Sequence, residues 1–310
     1  MYFNPASTGF FNGFYKGTIL HRQQWTGIGK GFVTTFASFD APIYDVRKKR
    51  NKAGLGGFFY MDKAGDSKFK TTQVSASASG MVQLSKKHFL SGGIQLSYVQ
   101  KSFDLSDIQW VNQYNGKRFD ANINPNESFS MPMTNFLDVG IGGRYEFQSA
   151  EITYDTKSFQ KFSLDFALFH ATEPMLQYVP STEEAMKNRW VVSAHYLNDF
   201  ENNSLGINVY ALYMKQSVFE QWMGMFLLRM RMKSESHITG LLNSPVLSAG
   251  LIFRNTGFLI PNVRFKFSHF EIGLCYDAFV SVYHLMPKGM NAFEIQITYS
   301  KLRNSLRNIK

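Results

Sequence analysis

The sequence predicts an all-β protein: a transmembrane, antiparallel, up-and-down β-barrel of about fourteen strands with long extracellular loops. Three observations predict it: apolar and polar residues alternate strictly along many segments, the segments are long, and the composition is rich in aromatics and poor in charge. Side chains on a strand point to opposite faces with a period of two, so each alternating segment carries one oily face and one wet face. Segments of this length also suit a membrane, because a tilted strand needs roughly 9–11 residues to cross a bilayer, whereas strands of soluble proteins are commonly about 5–6 residues long.

The expected strands lie near 13–24, 29–40, 52–62, 71–85, 88–102, 136–148, 160–170, 188–198, 204–216, 222–234, 246–255, 258–268, 270–282 and 291–301. In 73–85, Val74, Ala76, Ala78, Val82 and Leu84 oppose Gln73, Ser75, Ser77, Ser79 and Gln83. In 137–148, Leu137, Val139, Ile141, Tyr145 and Phe147 oppose Asp138, Gly140, Gly142, Arg144, Glu146 and Gln148. The same alternation sets Phe226, Leu228, Met230 and Met232 against Arg229, Arg231 and Lys233, and Val263, Phe265 and Phe267 against Arg264, Lys266 and Ser268. Near the end, Phe270, Ile272, Leu274 and Tyr276 oppose Glu271, Gly273, Cys275 and Asp277, and Phe293, Ile295, Ile297 and Tyr299 oppose Glu294, Gln296, Thr298 and Ser300. Glycines within these runs permit bends and close packing in a curved sheet.

An even strand count puts both ends of the barrel on one side. With the N-terminal side periplasmic, the two longest gaps, 103–135 and 171–187, are extracellular, while Lys86-Lys87, 199–203 and Ser268-His269 are tight periplasmic turns. That asymmetry is usual for outer-membrane barrels. Against it, 41–51, 149–159 and 235–245 are longer periplasmic connections. The whole of 1–310 reads as a single barrel domain, with 1–12 as a periplasmic N-terminal segment and 302–310 as a C-terminal tail.

The composition excludes several classes. Aromatics make up 16% of the chain, with 30 Phe and 15 Tyr, and charged residues only 18%, against roughly 25% in soluble proteins. Mean hydropathy is slightly negative, as expected when alternating faces cancel, and no apolar run reaches the roughly 18 residues of a transmembrane helix. The start shows no basic, apolar leader, and since a barrel must be exported the sequence is read as mature or trimmed. Cys275 stands alone, so no internal disulfide is available. A net charge of +10 fits anionic lipid and lipopolysaccharide, or an acidic protein partner, as well as nucleic acid, which is set aside here.

Several motifs resemble one family. Asn4-Pro5-Ala6 and Gly9 are followed by Arg22-Gln23-Gln24-Trp25 and Ser38-Phe39-Asp40-Ala41-Pro42. Later come the looser Phe166-Ala167-Leu168-Phe169-His170, then Gly273-Leu274-Cys275-Tyr276-Asp277 with Ser281, and Ala292-Phe293-Glu294-Ile295. In order and spacing these resemble the PorP/SprF family of the type IX secretion system of Bacteroidota, over Asn4 to about Ser300. The tail Lys301–Lys310 departs from the resemblance by running past the point where such barrels finish. The resemblance implies a non-enzymatic outer-membrane barrel serving secretion and gliding motility. It further implies two kinds of partner: a secreted protein or cell-surface adhesin with a type B C-terminal sorting domain, and lipoproteins of the periplasmic ring.

Candidate partner-binding residues are Arg22, Gln24, Trp25, Asp40, Pro42, Arg47, Lys48, Lys49, Arg50, Arg229, Arg231, Lys233, Arg264 and Lys266. Each has a plainer reading. Trp25 at a strand end suits a membrane interface, Asp40 beside Pro42 suits a turn, and the run from Arg47 to Lys52 suits a solvated loop. Alternatively, Asp40, Pro42 and the basic run form a periplasmic docking face, and 229–233 with 264–266 form the basic wall of a tunnel for an acidic peptide. Asp138, Arg144, Glu146, Asp165, Glu271, Asp277 and Glu294 are expected to form a structural lumen network, because isolated charges in a narrow pore must pair. Met223, Met225, Met230 and Met232 are expected to face lipid or fill gaps. No catalytic set, metal cluster or cofactor motif is found. The rival to a docking barrel is a passive diffusion or uptake channel for small solutes.

Overall fold

The computed structural model describes residues 1–25, 31–45, 50–65, 69–104, 110–124, 133–149, 159–179, 182–200, 204–232, 245–279 and 291–302. A single turn of 3-10 helix, η1 (Pro5–Ser7), precedes β1 (Gly13–Gln24), β2 (Phe32–Asp45), β3 (Arg50–Ala64), β4 (Phe69–Gln83), β5 (His88–Ser102), β6 (Met133–Gln148) and β7 (Phe159–Phe169). After the short β8 (Met175–Val179) and β9 (Thr182–Ala185) come β10 (Arg189–Asp199), β11 (Leu205–Gln216), β12 (Phe219–Arg231), β13 (Val246–Arg254), β14 (Phe258–Phe267), β15 (Phe270–Phe279) and β16 (Ala292–Leu302).

Fourteen of these close into one antiparallel barrel in which each strand pairs with its neighbour in sequence and β1 pairs with β16. Closure removes the unpaired sheet edges that hydrocarbon would not tolerate. All fourteen expected strands are present. The second ends later than expected, at Asp45 rather than at residue 40, because Pro42 lies opposite Gly54 beside a bulge at Ile43/Tyr44. A bulge is where a sheet accommodates a residue with no N–H. The hairpin β8–β9, inside the long 171–187 gap, was not foreseen. The tail beyond Leu302 lies outside the described residues.

The alternation sorts as expected on the outer wall. Ile94, Leu96, Leu137, Leu164, Phe166, Leu228, Phe265 and Ile297 all point outward and exposed. So wide an exposed apolar surface on a folded chain marks a lipid contact. Aromatic belts flank it. Near one rim Tyr15 stacks between Phe39 and Tyr299, with centroids at 6.0 and 5.9 Å. Near the other, Phe166 meets Trp190 at 5.5 Å and Trp222 meets Phe253 at 5.3 Å. The rim where β1 begins is called the near end below, and the opposite rim the far end.

The inner wall divides. On β4 to β6 it is small and polar, with Ser75, Ser77, Ser79, Ser91, Gln95, Ser97 and Asp138 buried. On β7 and β10–β14 it carries two apolar clusters among buried polar residues such as Ser163, Asp165, Ser193, Ser248 and Asn262. Ala167, Phe169, Val191 and Leu212 form one packed cluster, and Met225, Leu227, Ile252 and Ile260 another. Met223 and Met225 pack inside the barrel and fill gaps there, while Met230 and Met232 face outward, the two placements expected of these methionines. The pleat decides this: Met223 and Met225 share a face with Arg229 and Arg231, and Met230 shares one with Leu228.

Candidate functional site

The N-terminal residues, expected as a periplasmic segment ahead of the barrel, are folded into its lumen. Asn4 caps η1, accepting from the Ala6 N–H at 2.9 Å. Its side-chain amide donates to the Gly143 carbonyl at 2.9 Å and to Asp165 at 2.8 Å. The wall answers with hydroxyls: Ser91 donates to the Ala6 carbonyl (2.8 Å), Ser79 donates to the Thr8 carbonyl (2.6 Å), and Ser77 shares a bond with the Thr8 hydroxyl (2.9 Å). Deeper in the lumen, the Tyr2 ring packs at 5.5–5.7 Å against Phe36, Phe58 and Tyr60.

Three wall glycines shape this seat. A Cβ at Gly54 would lie 2.2 Å from the Thr8 carbonyl oxygen, one at Gly93 2.5 Å from Pro5 and Ala6, and one at Gly142 2.1 Å from Asn4 Oδ1. No other residue allows the segment so close. Gly9 itself has φ +64° and lies against Gly54.

Asp40 belongs to this seat, which corrects its reading as a turn former. It is buried on the inner face of β2, accepts from the Gly9 N–H at 2.8 Å and pairs with Lys16 at 3.4 Å. Pro42, two residues on, lies within β2 as well. Arg47, Lys48, Lys49 and Lys233 lie outside the described residues, and Arg50 opens β3. Between the segment and the walls of β1, β2, β7, β10 and β11 lies a cavity of about 290 Å³, whose lining includes Tyr2, Lys16, Asp40, Arg144, Asp165 and His195.

The expected lumen ions do pair. Arg144 reaches both Glu146 and Asp165, the latter at 2.8 Å, and Lys161 adds to Glu146 at 3.1 Å. At the far end Arg22 contacts Asp277 and reaches Glu294 at 3.2 Å, with Arg254 3.6 Å from Asp277. Arg22 also donates to Gln24 at 3.2 Å, so two of the three residues in that motif serve one network. Trp25 has φ 56° and packs its ring edge on Phe32 at 4.7 Å, apart from that network. Asp138 meets His170 at 3.0 Å.

At the near end Asp199, which the sequence reading passed over, pairs with Arg229 and Arg231, each at 3.0 Å. Arg264 is 3.9 Å from Glu271 and donates to Asn262 at 3.1 Å. The cations of 229–231 and 264–266 thus lie among acids, Asp199 and Glu271. Asp199 falls one residue past the expected strand end, so alternation did not place it. The seat was missed for a different reason: its partners are serines and glycines, which carry no charge signal.

Geometry and topology together define a class: a closed outer-membrane β-barrel with a filled, ion-paired lumen. One solved structure agrees on the fold. The chain is similar to a TodX deltaS2S3 mutant monoaromatic hydrocarbon channel, with TM-score 0.50 and 8% identity over 97% of this chain and 93% of that one. It is also similar to the Ralstonia pickettii toluene transporter TbuX (TM-score 0.48, 10% identity, 97% and 92% covered). A Pseudomonas aeruginosa FadL homologue gives TM-score 0.46 and 10% identity, with 96% and 92% covered. No curated protein matches the chain. The particular assignment comes from the family: residues 1–299 match the type IX secretion system membrane protein PorP/SprF, and the chain belongs to that family.

Proposed function

We propose that this chain is a non-enzymatic docking barrel of the type IX secretion and gliding machinery. It binds a secreted or cell-surface adhesin partner carrying a type B C-terminal domain, for export or anchoring, and docks on periplasmic ring lipoproteins. The single observation that carries this reading is the near-end lumen wall. There four cations, Arg229, Arg231, Arg264 and Lys266, gather around two acids, Asp199 and Glu271. Such an excess attracts an acidic segment, and low-dielectric walls focus the field. The long connections between β5 and β6 and between β7 and β10 lie at the far end. That supports taking the near end as periplasmic.

The test is co-purification from the native envelope in mild detergent. Arg229→Glu with Arg231→Glu should weaken partner retention while the barrel stays folded. Retention equal to wild type would reject the reading.

A second reading, a passive channel for small solutes, draws on the apolar clusters of the inner wall. It calls for conductance from the purified barrel and no stable protein partner.

A further inference from the structure

We propose that residues 4–11 are a releasable plug, and that the seat on β3–β6 is built to hold and let go of it, so that the plug controls access to the lumenal cavity. The purpose of such control rests on the docking reading above; the release itself does not.

The manner of attachment supports release. Among the described residues the plug joins no strand ladder. The main-chain bonds of residues 4–10 run within the turn, as in Thr8 N–H to Pro5 and Phe10 N–H to Ser7, or to wall side chains. The bonds are single and separate, each worth about 1 kcal/mol net, so no cooperative ladder must be broken. The turn carries its own cap in Asn4, so that bond does not have to be broken on leaving. Gly9, at φ +64°, and the register irregularity at Gly13/Tyr15 offer bending points beside the rim. The glycines Gly54, Gly93 and Gly142 supply fit without adhesion, since they add no side-chain contact of their own. Across the cavity Ser193 is buried on the inner face of β10 and lines the space that the plug covers.

The experiment uses the full chain with Cys275→Ala and Ser193→Cys, labelled by a charged maleimide. Gly93→Val or Gly142→Val, each filling the seat, should raise the labelling rate about tenfold, the equivalent of one or two lost hydrogen bonds. Asn4→Ala, which disturbs the wall least, should raise it in the same direction. A second background keeps the probe clear of the lock: Cys275→Ala with Thr8→Cys and Ser77→Cys, whose native oxygens lie 2.9 Å apart. Oxidation should form that bond quantitatively, and reduction should free the plug. Heat-modifiable gel migration reports folding throughout. Labelling within twofold of the unfilled seat in all three folded variants would overturn the proposal, as would failure of the Thr8–Ser77 cross-link in a folded barrel. Neither readout uses a partner, so a barrel that retains no partner tells against the docking reading alone.

Discussion

The two halves of the lumen wall fill the same barrel in opposite ways. On β4–β6 the inward residues are Ser75, Ser77, Ser79, Ser91, Gln95 and Ser97, and on β7 and β10–β14 they include Phe169, Val191, Leu212, Leu227 and Ile260. The apolar half satisfies itself, because its side chains bury one another without needing a partner. The polar half does so only in part: Ser75 and Gln95 bond Ser97 within the wall, but buried hydroxyls cost free energy until they are hydrogen-bonded. The N-terminal turn completes that bonding through Ala6, which accepts from Ser91, and Thr8, which bonds Ser79 and Ser77. Shared topology thus leaves one wall as a core and the other as a receptor.

The largest break in this contrast should come from Arg144→Ala. It strips Glu146 and Asp165 of their shared cation, and removing one partner of a buried pair costs about 3–5 kcal/mol. Urea unfolding of the protein in lipid vesicles should show a correspondingly lower midpoint. Leu227→Ala in the apolar half should follow: the side chain is fully buried, and such truncations cost about 2–5 kcal/mol depending on how far the cavity collapses. Ser91→Ala in the polar half should cost about 1 kcal/mol, the net worth of one hydrogen bond, because the Ala6 carbonyl loses its donor. Lys215→Ala should leave the midpoint where it is, since the Lys215–Glu220 pair is exposed on both sides. A midpoint unmoved by Leu227→Ala, or moved more by Ser91→Ala than by Arg144→Ala, would break the contrast.

Much of this was legible from period two alone. Leu137 against Asp138, and Phe265 against Arg264 and Lys266, sort wall from lumen wherever one face is polar. The signal fails where both faces are apolar: residues 222–228, Trp-Met-Gly-Met-Phe-Leu-Leu, form an unbroken run, and a run of that kind marks a strand covered on both sides. There the alternation did not say which of Met223 and Met225 meet lipid and which fill gaps. Pairing of opposite charges was legible in kind, since Asp138, Arg144, Glu146 and Asp165 do share one side of the pleat. Which acid meets which cation was not, because partners such as Arg229 and Asp199 sit two strands apart, across Gly206 of β11, and 30 residues apart in sequence. Seat glycines are invisible for a related reason: Gly54, Gly93 and Gly142 acquire meaning only from Thr8, Pro5 and Asn4 across the lumen.

The central claim is a barrel that docks a protein and whose lumen its own N-terminal turn fills. Single-channel recording of the purified wild-type protein in a planar bilayer tests it most directly. The account predicts no sustained conductance. A steady, ohmic pore in the wild-type protein would contradict it and favour the solute channel.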